Sequence, residues 1–230
     1  MKKGTKKMVI VNGKEYAMRQ SKFCVNESPV CISDNMSGKM NGIPSISTSC
    51  LFNPICLKRM QDGESICAHC FAAATLERYK PAGKNAESNT YLLTESVLPL
   101  ELLPIFGNVA IVRIESFGDV ANITQAINYA NICKVNPGVM FAWWSKNMPI
   151  IKQAFDIVGK PANVVMVESS EKLNIAKAAS NAYVDKVFTV YDEKTIEREN
   201  ININCGARCC VTCRNCYKKE SAAIVSEKLK

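Results

Sequence analysis

Asn108-Val-Ala-Ile-Val-Arg-Ile114, closed by Glu115-Ser-Phe-Gly-Asp119, is the stretch on which the fold turns. A near-continuous apolar run of this length reads as a strand covered on both faces. The turn leads into Asn122 to Cys133, where Ile123, Ala126, Ile127 and Ala130 share one helical face. The unit then repeats. Val139 to Trp143 is the next strand, and Met148 to Val158 the next helix, with Pro149 accommodated in its first turn. Ala162 to Val167 is a strand ending in Glu168-Ser169-Ser170. Glu171 to Ser180 is expected as helix and Tyr183 to Tyr191 as a further strand. Strands alternating with helices predict a parallel sheet.

Outward from this repeat, Ile43 to Ser49 reads as the first strand, and a short segment near Ile201–Asn204 as the last. Ala68 to Tyr79 is predicted helical, ended by Pro81-Ala-Gly83, and Asn85 to Ser96 as a second helix. The expected fold class is α/β, a partial β/α barrel of about six strands, since the chain is short of the roughly 250 residues of an eight-fold barrel. Residues 8–18 read as a hairpin turning at Asn12-Gly13. The predicted organisation is a hairpin and loop appendage over 1–42, the β/α unit over 43–204, and a cysteine-rich segment with a basic tail over 205–230.

Ligands bind at the C-terminal ends of strands in such folds. Glu115, Asp119, Lys146 and Glu168 are therefore the candidate catalytic groups, and Arg113, Ser116, Trp144 and Ser145 the candidate cofactor contacts. Arg113 and Glu115 share parity within a strand and are expected on one face. Inward, such a pair suits an anionic or zwitterionic ligand. Asp119 reads equally well as the N-cap of the next helix.

The chain carries 12 cysteines. Six lie between Cys24 and Cys70, five between Cys205 and Cys216, and Cys133 stands alone. No stretch resembles a signal peptide or a membrane span, so a cytoplasmic location is expected, and in a reducing compartment clustered cysteines point to metal or redox chemistry. Cys50, Cys56, Cys67 and Cys70 are the first candidate ligand set. A thioredoxin-type motif is a lone Cys-x-x-Cys, which this is not. Structural zinc favours two short knuckles. The loose spacing of Cys50, Cys56 and Cys67 fits a loop around an iron–sulfur cluster better. Cys205, Cys209, Cys210, Cys213 and Cys216 form the second set. Its Cys210-x2-Cys213-x2-Cys216 core resembles a ferredoxin run, with zinc as the alternative. Cys24 and Cys31 read as buried thiols.

The net charge of +8 is concentrated in the basic ends, which read as solvated tails or as a weak nucleic-acid contact. No membrane partner is expected.

Several stretches resemble the phage "gene product 88" family. They are Lys39 to Ser49, Cys56 with Cys67-x-x-Cys70-Phe-Ala, Arg113-Ile-Glu-Ser-Phe-Gly-Asp119, Phe141-Ala-Trp-Trp-Ser-Lys146 and the terminal cysteine run. They occur in the family's order over residues 35 to 217. The family resemblance implies a phage-infected or bacterial host cell, and Cys56, Cys67 and Cys70 match its pattern best. Its organisation is in turn distantly similar to radical S-adenosylmethionine enzymes. That similarity implies a 4Fe–4S cluster, one or two in number, with S-adenosylmethionine as a candidate ligand and a small molecule or electron-transfer protein as partner. The Cys-x3-Cys-x2-Cys hallmark of those enzymes is absent, because ten residues separate Cys56 from Cys67.

Overall fold

The computed structural model describes residues 7–35, 37–206 and 209–229. The hairpin forms as expected, from β1 (Met8–Val11) and β2 (Lys14–Ala17), with Asn12 and Gly13 both at positive φ. β3 (Arg19–Gln20) and β4 (Glu27–Ser28) make a second small pair.

The centre of the molecule is a seven-stranded sheet. It contains β5 (Ser33–Asp34), β6 (Pro44–Ile46), β7 (Ile111–Ile114), β8 (Met140–Ser145), β9 (Val164–Ser169), β10 (Lys186–Tyr191) and β11 (Ile224–Lys228). Spatial order follows chain order from β5 to β11, and all neighbours are parallel except β5 and β6. β5 and β11 are the outermost strands, and among the described residues no pairing joins them. This corrects the partial barrel of about six strands. The segment near Ile201–Asn204 is not a strand, and each flanking region instead supplies an edge strand.

The helices are α1 (Pro54–Gln61), α2 (Phe71–Arg78), α3 (Lys80–Glu95), α4 (Ile123–Lys134), α5 (Met148–Val158), α6 (Glu193–Glu199) and the single turn α7 (Cys210–Cys213). α4 and α5 fall where the apolar periodicity predicts. Pro81 opens α3 instead of ending a helix, because the first turn needs no N–H from it. Residues 171–180 form no helix. Asn174 is left-handed there and exchanges hydrogen bonds with Asp192, and the Ser180 amide donates to Glu168.

Strand alternation gives the sheet two different faces. On one, Val112, Ile114, Phe141, Trp143, Val164 and Met166 pack with Leu92, Leu93, Tyr129, Ile132, Ile151 and Phe155 of α3, α4 and α5. Trp143 lies edge-to-face between Tyr129 and Phe155, at centroid distances of 5.4 and 5.5 Å. Cys24 and Cys133 are buried in this core. On the other face, Ala142, Val165, Val167 and Phe188 meet Tyr217, Cys210, Cys216 and Val225 of the C-terminal segment. No helix among the described residues is long and apolar enough to cross a membrane.

Candidate functional site

A cavity of about 650 Å³ opens at the C-terminal ends of the strands and runs onto the sheet face away from α4 and α5. Cys50, Cys56, Cys67 and Cys70 line it, and so do Cys205, Cys210, Cys213 and Cys216. Two cysteine sets far apart in sequence thus share one chamber. Arg113, Glu115, Ser116, Asp119, Trp144, Ser145 and Lys146 line it too. Cys209 and Glu168 do not. The Cys209 thiol faces the Asn41 carbonyl at 3.9 Å. Glu168 is fully buried, ion-paired to Lys177 at 2.6 Å and hydrogen-bonded to the Ser180 amide at 2.8 Å. It sits one residue out of phase with Val167 and Ser169, so the pleat turns it away from the cavity.

The first set is spread over four local structures. Cys50 follows β6, Cys56 is in the first turn of α1, Cys67 is in the 3-10 turn Ile66–His69, and Cys70 caps α2. Asn53 starts α1 by accepting from the Ile55 and Cys56 amides, and Pro54 follows it. Cys50 and Cys70 share a hydrogen bond that lowers the Cys70 pKa and raises that of Cys50. The amides of Ala73 and Ala72 and the charge of Lys146 lower Cys70 further. Burial pushes Cys56 up, assisted by the Asp119 and Glu115 charges.

The second set is anchored by main-chain bonds. The Cys205 amide donates to Ser226 and the Cys210 amide to Lys39. Lys39 Nζ donates to the Cys205 carbonyl at 3.0 Å and to Glu227 at 2.6 Å. Arg214 takes a left-handed turn that lets the chain bend from Cys213 to Cys216. Burial raises Cys205 and Cys210, and pushes Cys216 up to about 12.

Between the sets, Arg113 and Glu115 part company. Glu115 has φ +58°, which breaks strand parity. Its carboxylate accepts from the Tyr129 hydroxyl at 2.6 Å, the Thr48 hydroxyl at 2.7 Å, Gln125 Nε2 at 2.8 Å and the Thr48 amide at 3.1 Å. Burial nonetheless raises its pKa to about 7, against the pull of the Tyr129 and Thr48 donors. Arg113 instead lays its guanidinium on Trp144, 3.9 Å from the ring centroid, and its Nε donates to the Glu115 carbonyl.

Asp119 is a hub. It accepts from the Ser145 hydroxyl, the Val120 and Lys146 amides, and Arg59 Nη1 at 3.1 Å. It is no helix cap, since Asn122 caps α4. Arg59 was not foreseen. From α1 it also reaches Asn147 at 2.7 Å and ion-pairs with Glu171. The Asn53-Pro54 start signal could have revealed its helix.

Among the described residues, no three His, Cys, Asp or Glu side chains stand close enough to share one metal ion. Ligands of a tetrahedral zinc at about 2.3 Å lie only about 3.8 Å from one another. In a 4Fe–4S cluster each thiolate holds a different iron, so those ligands stand further apart. Soft thiols in this number suit either metal by donor type. Of the basic N-terminal residues, Lys7, Lys14 and Lys22 pair with Glu27, Glu95 and Asp34. Lys2, Lys3 and Lys6 lie outside the described residues.

No curated protein and no solved structure matches the chain, so neither comparison carries the likeness to radical S-adenosylmethionine enzymes. One family model does match, over residues 2–228, with every strand of the sheet and both cysteine sets inside it, and the chain belongs to the Gene product 88 family.

Proposed function

We propose that the cavity is a thiolate metal site, with an iron–sulfur cluster held by Cys56, Cys67 and Cys70, and Cys50 within reach. Cys205, Cys210, Cys213 and Cys216 would hold a second thiolate centre in the same chamber. The observation that carries this reading is the convergence of eight cysteines on one cavity. A cluster supplies one-electron chemistry, and an iron left without a cysteine adds a binding position for a small molecule. The proposed activity is therefore redox chemistry on a small molecule, or electron transfer alone.

The chain's own residues prepare that role. Lys146 puts a positive charge beside Cys70, which favours the thiolate. The apolar surfaces of Met40, Phe117, Trp144 and Phe188 limit water around the thiols. Asp119, fixed by four donors, positions the start of the β8–α5 loop and with it Lys146.

The test is anaerobic purification followed by iron, acid-labile sulfide and zinc analysis. Iron with sulfide, lost together in a Cys56→Ser, Cys67→Ser double variant, is the expected result. Colourless protein holding zinc without sulfide would overturn the cluster. Adding S-adenosylmethionine to the reduced protein then probes for an open iron by electron paramagnetic resonance. An unchanged signal restricts the proposal to electron transfer.

A further inference from the structure

We infer that Arg113 is the anion-recognition residue of the cavity, taking a carboxylate or phosphate group of a small-molecule ligand end-on through its two Nη groups. This rests on the cavity, where the thiols of Cys210 and Cys216 beside the guanidinium are the competing countercharge. The guanidinium is half-buried and its accessible edge faces the cavity. Among the described residues no carboxylate forms an ion pair with it. By contrast, Arg59 pairs with Asp119 and Glu171, and Lys39 with Glu227. An arginine charge withdrawn from bulk water calls for an anion beside it.

The anchoring explains where that anion goes. One of the five guanidinium donors, Nε, is spent on the Glu115 carbonyl at 3.2 Å. One face is covered by Trp144, which Phe188 holds in turn at a centroid distance of 4.5 Å. The plane is thus fixed, and the Nη pair remains as a fork whose geometry matches two oxygens of one anionic group. The hydroxyl of Tyr217 stands against the guanidinium and accepts a hydrogen bond from it, which leaves its own proton to donate to the same group. The cations also divide the chamber, with Arg113 beside Cys210 and Cys216, and Lys146 beside Cys70.

The test is a titration of the full chain with inorganic phosphate and, separately, with acetate, against chloride at equal ionic strength. The readout is the fluorescence of Trp144, one of only two tryptophans. Its stacking on Arg113 makes it the local reporter, and a Trp144→Phe variant identifies its signal. For a ligand of so few heavy atoms, saturation at roughly millimolar concentration is expected. Phosphate saturating and acetate not, or the reverse, identifies the group. Arg113→Lys keeps the charge and loses the fork, and should weaken binding about tenfold or more. Arg113→Met should abolish it, with circular dichroism unchanged.

No saturable response to either anion would overturn the inference. So would equal binding by Arg113→Lys and the parent, or metal content that falls with Arg113→Met in a chain that never binds an anion. That last result would make Arg113 the countercharge of a thiolate centre. Anion binding by a chain that takes up no iron would overturn the cluster and leave this inference standing.

Discussion

Glu115 is a carboxyl group surrounded by donors and yet held at a pKa of about 7 against an ordinary 4.5. The sign of its effect on stability follows from linkage. Below the ordinary value, folded and unfolded chains both carry the proton. Between about pH 4.5 and 7 the unfolded chain has lost it and the folded chain keeps it. The stabilisation from this group is therefore complete at low pH and is lost as pH rises through about 7. The shift corresponds to something on the order of 3 kcal/mol. Urea unfolding of the parent and of Glu115→Gln at pH 5, 6 and 7 should show the stability difference changing with that slope; a constant difference would refute it. This behaviour is invisible in the sequence. Strand parity puts Glu115 beside Arg113, but one residue at positive φ turns the carboxylate toward Tyr129 instead. Glu168 lies off the cavity for a related reason, because its phase in β9 outweighs its place near a strand end.

At the scale of an element, the turn after β7 and the loop after β6 are fitted to each other. A Cβ on Gly118 would lie 2.5 Å from the Thr48 carbonyl and 2.8 Å from the Glu115 carboxylate. Both neighbours are fixed, so Gly118→Ala should cost about 1–3 kcal/mol or more. Gly63→Ala meets nothing within 4 Å and is the internal control. Chemical denaturation should separate the two, and equal stabilities would contradict the close fit. The central strands and helices were legible because buried parallel strands have apolar runs and α4 and α5 have clean periodicity. β5 was hidden by its shortness, two residues being too few for a pattern. β11 was hidden inside a segment that reads as a charged tail. Residues 171–180 have helical composition, but side-chain bonds from Asn174 and Glu168 win over propensity.

For the whole molecule, the C-terminal segment is part of the cavity wall and not an appendage. Tyr217 is its main apolar anchor, buried against Ile43 and Ala142. Tyr217→Ala should cost about 3–5 kcal/mol if the site does not collapse. The loss should also be local. Thiol-reagent kinetics on metal-free protein should show Cys205, Cys210 and Cys216 reacting faster, while Cys24, Cys31 and Cys133 stay protected in the core. Uniform acceleration of all of them would mean that the segment has no separate stability. The gathering of the two cysteine sets was not readable from either set alone. It depends on β11 returning the chain to the sheet edge.

That return has a consequence in time. Spatial order along the sheet follows synthesis order, so a growing chain adds one edge after another. Cys50 to Cys70 leave the ribosome early, and Cys205 to Cys216 and β11 after every other strand. At roughly 5–20 residues per second, the interval is on the order of ten seconds. During it the inner half of the chamber lies open on the sheet face, and whatever belongs against the first four thiols can enter from that side before the last strand closes over it.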